Sequence, residues 1–363
     1  MLLSEIRNQQ VSGLGSADTE GIRELSARLA ANPLLVQAST GNTSLKTGDT
    51  LWIKASGKWL ADAASPDFLI PVALRRARAC LNAGEAIPET EKTDGVCASI
   101  ETAMHTVLPH KVVVHVHSVN AIAWAVQTNA PNALRGCLDG LSWQWIPYTF
   151  SGTPLAQRVE AAHRCNPNTN VFVLGNHGLV VCGESCDSAE RLLEEVEKRL
   201  DVEPRPLVAS SKVTSPGPEG EKDRGSPGPA CIHQVARDDL SRAILRGGVL
   251  YPCQALFLPF TVFAGERPLS AETGCLPKYT EHRRASMLLG GDRGVASTPM
   301  TESQHELLFG LTQVLRRIYQ PSAVRYLSCG EVGEVLRNGG QYLACANQRS
   351  DQDGSSVHTP SLA

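Results

Sequence analysis

The stretch HKVVVHVHSVNAIAWAV, residues 110–126, combines a run of valines with two histidines one residue apart. A short valine-rich segment of this kind is typical of a buried strand, and the residues after it have the spacing of a helix. Alternate side chains of an extended strand point to the same face, so His115 and His117 should lie side by side while Val116 points the other way. Two adjacent imidazoles can bind one metal ion. A purely structural histidine pair is the alternative interpretation.

The sequence around this strand predicts an α/β domain that ends near residue 203. Residues 16–35 carry apolar side chains at helical spacing, and residues 36–60 contain a hairpin signal. Residues 169–183 predict two buried strands joined by a tight turn, and residues 188–202 predict a strongly amphipathic helix. We therefore place the first domain at residues 1–203.

The rest of the chain divides by composition. Residues 204–230 are rich in proline, glycine, serine and charged residues, which predicts a flexible linker. Residues 231–348 form a smaller α/β module of unknown role, in which the apolar segment 247–265 has a strand-like composition. The last 15 residues, 349–363, are polar and are expected to be a disordered tail.

Composition restricts the class of partner. The chain has 363 residues, of which 42% are hydrophobic and 20% charged, and its formal net charge is -3. A slightly acidic globular protein of this kind lacks the basic surface that nucleic acids or anionic membranes require. We therefore expect small molecules or other subunits as partners, with no nucleic acid and no membrane.

The absence of a long apolar run and of a basic, apolar leader in the sequence predicts a cytoplasmic protein. The chain has 11 cysteines, an odd number, and they are scattered singly with no Cys-x-x-Cys pair. Cysteines scattered in this way in a cytoplasmic protein are expected to be reduced thiols.

Two further residues could join the histidine pair. His177 lies in the turn Gly-Asn-His-Gly, where glycines allow a sharp bend that exposes an imidazole. Three neutral imidazoles with an open fourth position form the ligand set of a catalytic zinc-like site. Glu101 precedes the strand on a short helix and shares a face with His105. From the residues alone, a solvated glutamate at a helix start is the favoured interpretation of Glu101.

Two loops have the composition of anion-binding nests. The segment STGNTS, residues 39–44, places hydroxyls and an amide around Gly41, and the segment ASG, residues 55–57, forms a second small-residue turn. Ordinary turns are the alternative. Neither loop matches the P-loop or the dinucleotide fingerprint, so nucleotide chemistry is disfavoured.

Taken in order, the motifs GNTS, ASG, SIETAMH, HVHS, PYTFSGT and NHGLV resemble the motif series of the class II aldolase/adducin superfamily. The resemblance covers about residues 19–203, and an ordered set of six motifs is far more specific than any single one. It implies a three-layer α/β/α fold with a mostly antiparallel central sheet. The C-terminal module resembles no family that we can name, although longer members of the superfamily carry such extensions.

The resemblance also implies roles for individual residues. His115, His117 and His177 match the ligands of a divalent metal, usually zinc, with Mn²⁺, Co²⁺ or Fe²⁺ as alternatives. Glu101 matches the residue that ligates the empty metal and then serves as acid and base. The residues that match the phosphate site are Asn42, Ser56, Gly57 and Ser99. Tyr148 matches a catalytic tyrosine that is contributed across a subunit interface, so a homo-oligomer, in particular a tetramer, is expected.

The expected activity is that of a carbon-carbon lyase, a metal-dependent aldolase acting on a ketose phosphate. Through a metal-bound enediolate it would release dihydroxyacetone phosphate and an aldehyde, with the pKa of Glu101 raised by burial. One departure weakens the phosphate assignment: the family has Pro-Ser-Ser before the acidic residue, whereas this chain has Ala98, Ser99 and Ile100. A sugar-phosphate epimerase, dehydratase or decarboxylase and a non-catalytic interaction protein are the alternatives.

Overall fold

The computed structural model of the protein describes residues 16–90, 97–207, 235, 238–258 and 301–339, together with three short strands between residues 261 and 297. Most of the predicted linker and all of the predicted tail lie outside these residues. The division into domains therefore stays a prediction. Within the described residues, no helix has both the length and the apolar character that crossing a bilayer requires.

Ten strands and eleven α-helices are described, numbered here in chain order. The strands are β1 (Asn42–Thr47), β2 (Thr50–Lys54), β3 (Leu69–Ala73), β4 (Val112–Val116), β5 (Trp143–Ile146), β6 (Val171–Leu174), β7 (Gly178–Gly183), β8 (Thr261–Phe263), β9 (Met287–Leu289) and β10 (Val295–Ser297). The helices are α1 (Ser16–Ala30), α2 (Leu74–Ala83), α3 (Thr102–Val107), α4 (Val119–Ala125), α5 (Ala130–Cys137), α6 (Thr153–Cys165), α7 (Cys186–Leu200), α8 (Asp239–Gly247), α9 (Pro252–Phe257), α10 (Glu302–Arg316) and α11 (Cys329–Asn338).

The centre of the molecule is a seven-stranded sheet in the order β3-β2-β1-β4-β7-β6-β5. Its pairs are antiparallel except β5 with β6, which is parallel. The strand β4 is fourth in this order, so β1 and β7 hydrogen-bond to it on either side. In this register His115 lies between Asn42 of β1 and Val180 of β7. The predicted mostly antiparallel sheet is thus confirmed.

Helices cover both faces of the sheet. They are needed on both sides because the apolar side chains of β4 point alternately to one face and to the other. Val112, Val114 and Val116 point into a core shared with α1 and α7. Val113 points into the opposite core, which is shared with α2, α3 and α6. A strand that is buried on both faces reads as a continuous apolar run, which explains the valines of β4. The three-layer α/β/α prediction is confirmed.

A third core joins the C-terminal helices to the sheet domain. Side chains of α8 and α10 pack there against Val119 and Ile122 of α4. Within the described part of the segment 247–265, predicted to be strand-like, α9 is helical and β8 is extended. Pro252 stands at the first position of α9, where its fixed φ and missing N–H favour a helix start. The strand prediction was therefore wrong for residues 252–257.

Among the described cysteines, seven are free thiols: Cys80, Cys97, Cys137, Cys165, Cys182, Cys186 and Cys253. Cys329, the first residue of α11, is disulfide-bonded. The prediction of reduced thiols is confirmed for the seven and is wrong for Cys329.

Candidate functional site

The three predicted histidines meet at the end of β4. The possible ligand atoms of His115, His117 and His177 all lie within 4.8 Å of one another. The Nε2 atoms of His115 and His117 are 3.2 Å apart, and the ring of His177 lies 4.9 Å and 5.1 Å from theirs, centroid to centroid. All three side chains are buried. Two motifs about sixty residues apart in sequence therefore build one cluster, which we call the histidine cluster.

The turn between β6 and β7 delivers His177 to this cluster. Its positive φ, 51°, falls on Asn176 rather than on a glycine, and asparagine tolerates this conformation better than most residues. The flanking glycines are needed for space instead. A Cβ on Gly178 would lie 2.5 Å from the Val116 carbonyl oxygen, and one on Gly175 would lie 2.9 Å from the Tyr148 nitrogen. The expectation that the glycines supply the bend was wrong.

Glu101 completes the histidine cluster from the side of α3. Its Oε2 lies 3.3 Å from His115 Nε2, and its Oε1 lies 3.3 Å from His177 Nε2. The Asn42 side-chain amide donates a 2.7 Å hydrogen bond to Oε2, and the Ser151 hydroxyl donates a 3.3 Å bond to Oε1. Glu101 is only 7% exposed, so its interpretation as a solvated helix-start residue was wrong.

Burial and neighbouring charge set the protonation states here. Burial lowers the pKa of His115 to about 4 and the pKa of His117 well below its ordinary value, so both imidazoles are neutral at pH 7. Burial alone would raise the pKa of Glu101, but the attraction of His115, which itself gains a proton only in acid, and the hydrogen bond from His177 outweigh it. The pKa of Glu101 therefore lies well below its ordinary value, and the expectation of a raised pKa was wrong.

The residues predicted to bind phosphate line the same cavity as Glu101, His117 and His177. These are Asn42, Ser56, Gly57 and Ser99. Asn42 is already bonded within the chain, because its amide nitrogen donates to Glu101 and Ser99 and its oxygen accepts from His105. Its visible contribution is to hold Glu101 in place. Ser56 and Gly57 lie in a turn where Gly57 has a φ of 76°, as an anion-binding nest requires.

Lys54 at the end of β2 is a cavity residue that the sequence analysis missed. Its ammonium is buried and donates hydrogen bonds to the carbonyl oxygens of Ser39, at 3.0 Å, and Lys58, at 2.6 Å. Burial lowers the pKa of Lys54 to about 8, although the nearby Glu101 counteracts part of this effect. A signal was available, because Lys54 ends the otherwise apolar strand TLWIK immediately before the ASG turn.

Tyr148 is the predicted site residue that the described structure does not bring to this cavity. It packs against a cluster of the C-terminal module, with the Arg325 guanidinium 5.4 Å from its ring centre. The members of this cluster are Ala255, Leu256, Leu327, Val332 and Val335. Its hydroxyl is buried and has no hydrogen-bond partner among the described residues, and burial raises its pKa strongly. The catalytic role of Tyr148 stays a prediction, and it requires the hydroxyl to leave this packing.

The geometry agrees with a comparison of the sequence with known protein families. The family model described as the class II aldolase and adducin N-terminal domain matches residues 22–203. This is half of the chain, and it contains every residue of the histidine cluster. The protein belongs to the class II aldolase and adducin family.

Individual relatives of this class II aldolase family member are distant. A Bacillus subtilis (strain 168) protein named uncharacterized oxidoreductase YuxG is 24% identical over 208 residues, covering 50% of this chain and 30% of that protein. This chain therefore spans less than a third of the length of that relative.

Two solved structures cover about half of this chain. The N-terminal class II aldolase domain of a conserved Thermoplasma acidophilum protein is 21% identical, with a TM-score of 0.44 over 52% of this chain and 94% of that one. L-fuculose-1-phosphate aldolase from Thermus thermophilus is 19% identical, with a TM-score of 0.36 over 50% of this chain and 89% of that one.

Class II aldolases typically depend on a divalent metal, and the donor set of this member fits one. His115 Nδ1 lies 3.1 Å from the Leu179 carbonyl oxygen and donates to it, which leaves the Nε2 lone pair free. That lone pair faces His117 Nε2 and the ionised carboxylate of Glu101. Nitrogen and carboxylate atoms that converge in this way are the donor types that bind divalent transition-metal ions such as Zn²⁺.

The other cavity residues that the sequence did not predict are Phe150 and Ser151, just before α6, and six residues of the C-terminal module. Pro252, Cys253, Leu256 and Phe257 of α9 line the cavity, together with Val335 and Gly339 at the end of α11. No motif marks these residues, because apolar side chains at helical spacing read as ordinary core. Only the fold shows that they face the histidine cluster.

Proposed function

We propose that this protein is a divalent-metal-dependent aldolase that cleaves or forms a carbon-carbon bond of a ketose phosphate. The observation that carries the proposal is the convergence of His115, His117 and His177 with Glu101, whose two carboxylate oxygens each lie 3.3 Å from an imidazole nitrogen. Three neutral imidazoles with an open position form the ligand set of catalytic metal sites. Membership of the class II aldolase family supports the same reaction class.

The proposal gives each residue of the cluster a chemical task. His115, His117 and His177 hold the metal, for which zinc is the first choice and Mn²⁺, Co²⁺ or Fe²⁺ the alternatives. A bound divalent ion would act as a Lewis acid that stabilises negative charge on two adjacent substrate oxygens. Glu101 moves protons at the hydroxyl or at the enediolate carbon. Its lowered pKa keeps it ionised, so it begins the cleavage direction as a base.

A separate part of the cavity suits the phosphate. Lys54 supplies a positive charge, and Ser56, Gly57 and Ser99 supply hydroxyl and backbone donors on the same wall. A buried ammonium attracts an anion more strongly than an exposed one, because less solvent screens the charge. These donors would offset the serine that the family has where this chain has Ile100. The products of cleavage would be dihydroxyacetone phosphate and an aldehyde.

A homo-oligomer, a tetramer in particular, and a cytoplasmic location remain part of the proposal. The oligomer is tied to Tyr148. This residue is half-buried against its own C-terminal module with its hydroxyl covered, so it would reach a neighbouring site only after rearrangement.

The first experiment is elemental analysis of purified wild-type protein beside His115→Ala and His177→Ala. We expect about one zinc, manganese, cobalt or iron per chain, lost in both variants because a tridentate site that loses one imidazole binds far more weakly. His110→Ala is the matched control, since His110 is half-buried beside His163 and outside the cluster. Wild-type protein that stays metal-free after reconstitution would refute the proposal.

The second experiment identifies the reaction. Metal-loaded protein is incubated with dihydroxyacetone phosphate and a panel of aldehydes, and new ketose phosphates are identified by mass spectrometry and NMR. Carbon-carbon bond formation that is lost in His177→Ala supports the aldolase. Products that instead show inverted stereochemistry, loss of water or loss of carbon dioxide from a supplied sugar phosphate would identify an epimerase, a dehydratase or a decarboxylase.

A further inference from the structure

The cavity beside the histidine cluster has two chemically different sides. The sheet side carries the charged and polar groups Glu101, His117, His177 and Lys54. The C-terminal module supplies another part of the lining, in which only Cys253 carries a polar side-chain atom; the other five residues are Pro252, Leu256, Phe257, Val335 and Gly339, which we call the apolar wall. All five residues lie beyond the matched family domain, which ends at residue 203.

The apolar wall is held in a fixed position relative to the histidine cluster. The thiol of Cys253, on the same helix as Leu256, lies 3.4 Å from His117 Nδ1. The Asn176 side-chain amide, next to His177, donates 2.8 Å hydrogen bonds to the carbonyl oxygens of Leu250 and Arg325. The Arg325 guanidinium returns a 2.7 Å bond to the Asn176 oxygen. The turn that delivers His177 therefore also positions the segments leading into α9 and α11.

The two helices of the apolar wall also fit closely against each other. A Cβ on Gly339 would lie only 2.0 Å from Leu256 Cδ2, so the end of α11 touches α9 at the cavity. Leu256 and Val335 are both buried, and neither side chain carries a hydrogen-bonding group. A substrate hydroxyl pressed against them would lose its water partners without replacement, which disfavours its binding.

We propose that the apolar wall selects the aldehyde fragment of the substrate and that this fragment ends in a hydrocarbon group without hydroxyls. The inference rests on the proposed aldolase function. Glu101 and the histidines take the two adjacent oxygens, and Lys54 with its neighbouring turn takes the phosphate. The end of the substrate away from the phosphate then meets Leu256, Phe257 and Val335. The C-terminal module is, in this assignment, the specificity element of the site.

The test compares propanal with glycolaldehyde as acceptors for dihydroxyacetone phosphate. These aldehydes have the same number of heavy atoms and differ by a methyl group in place of a hydroxyl. We expect kcat/KM to be at least about tenfold higher for propanal, since one apolar group in a hydrophobic pocket changes this ratio by about 10- to 200-fold. A ratio near one in the wild-type protein would overturn the inference.

Two substitutions of similar size place a polar group in the apolar wall. Val335→Thr and Leu256→Asn should each lower the propanal preference at least about threefold. Val332→Thr is the matched control, because Val332 is buried on the same helix but does not line the cavity. Metal content and thermal unfolding of each variant show whether it is folded. Folded variants that keep the wild-type preference would overturn the inference.

A second series does not depend on catalysis. Hydroxamates present two adjacent oxygens to a metal, and their alkyl tail can be lengthened from methyl to butyl. Binding to the metal-loaded protein should tighten about two- to fourfold with each added CH₂, and Val335→Thr should reduce this gain. If the protein binds metal but hydroxamate affinity does not change with tail length, the role of the apolar wall in specificity is rejected and the aldolase proposal is unaffected. Tail-dependent binding without carbon-carbon bond formation would reject the aldolase proposal alone.

Discussion

The histidine cluster and the apolar wall face each other across one cavity, but the chain builds them in different ways. The cluster lies where β4 and the β6-β7 turn meet, and the register of the four neighbouring strands β1, β4, β7 and β6 fixes it. The wall consists of two helices that approach from the C-terminal module and are bonded to that turn through Asn176. The histidines thus lie on the sheet and its turn, Glu101 lies at the start of α3, and the apolar wall belongs to a separate layer. Such an arrangement allows specificity to change without disturbing the chemistry.

The sharpest test of the cluster is Glu101→Gln, which should have the largest effect. Glutamine keeps the shape and can still accept a hydrogen bond from Asn42, but it cannot take a proton. We expect kcat to fall about 10²- to 10⁴-fold, the range for loss of a general base, while metal content stays near one per chain. Glu160→Gln, which removes an exposed ion pair with Arg164, is the control. Near wild-type turnover of Glu101→Gln would remove Glu101 from the chemistry.

The connection between the two regions is tested by Asn176→Gly. Glycine accepts the positive φ at this position, so the substitution removes hydrogen bonds without adding backbone strain. Three bonds of about 1 kcal/mol each predict a loss of about 2–3 kcal/mol in the free energy of unfolding, measured by urea denaturation. The propanal preference should fall with it, because the wall is no longer fixed. A change below about 0.5 kcal/mol would show that packing alone holds the two regions together.

Lys54→Met tests the polar side of the cavity through pH. The pKa of Lys54 is lowered to about 8, so its positive charge is present below that pH and is lost as the pH rises through it. We expect kcat/KM for the phosphorylated substrate to fall above about pH 8 in the wild type. In Lys54→Met, kcat/KM should be about 10- to 100-fold lower at pH 7, and the alkaline fall should be absent.

Lys46→Met is the matched control for Lys54. Burial also lowers the pKa of Lys46 to about 8, but its ammonium donates to the His110 carbonyl oxygen and does not line the cavity in the described structure. It should therefore keep the alkaline fall in activity. For both lysines the folded pKa lies below the unfolded value of 10.5, so burying the charge costs stability below about pH 8. This cost disappears as the pH rises from about 8 to 10.5. If Lys46→Met also lost the fall in kcat/KM at alkaline pH, the assignment of Lys54 to the phosphate would be contradicted.

Tyr148→Phe should have the smallest effect. The Tyr148 hydroxyl is buried without a hydrogen-bond partner among the described residues, so its removal should leave the free energy of unfolding unchanged or raise it by about 1 kcal/mol. Turnover should stay within about threefold of the wild type if the residue keeps its place under the C-terminal module. A loss of 100-fold or more would instead show that Tyr148 leaves this packing to act in catalysis, as the family resemblance implies.

The sequence by itself predicted the sheet domain and the histidine pair, and the family resemblance added Glu101 to the candidate site. The valines of β4, the paired histidines and the turn before Gly178 are local patterns, and strand alternation or turn chemistry converts each into a position. Spacing alone did not place His177 or Glu101 near His115 and His117. The order of the six motifs, which resembles that of the family, predicted that all four residues belong to one site. Local pattern was sufficient for the histidine pair because strands place side chains with a fixed period of two.

Tertiary structure alone decided what surrounds those residues. The burial that lowers the pKa of Lys54, the three histidines that lower the pKa of Glu101, and the covering of Tyr148 all depend on groups distant in sequence. The apolar wall was invisible for a further reason. Leu256 and Val335 have the spacing of core residues in any helix, and the hydrophobic effect is non-directional, so nothing in their sequence distinguishes a core from one side of a cavity.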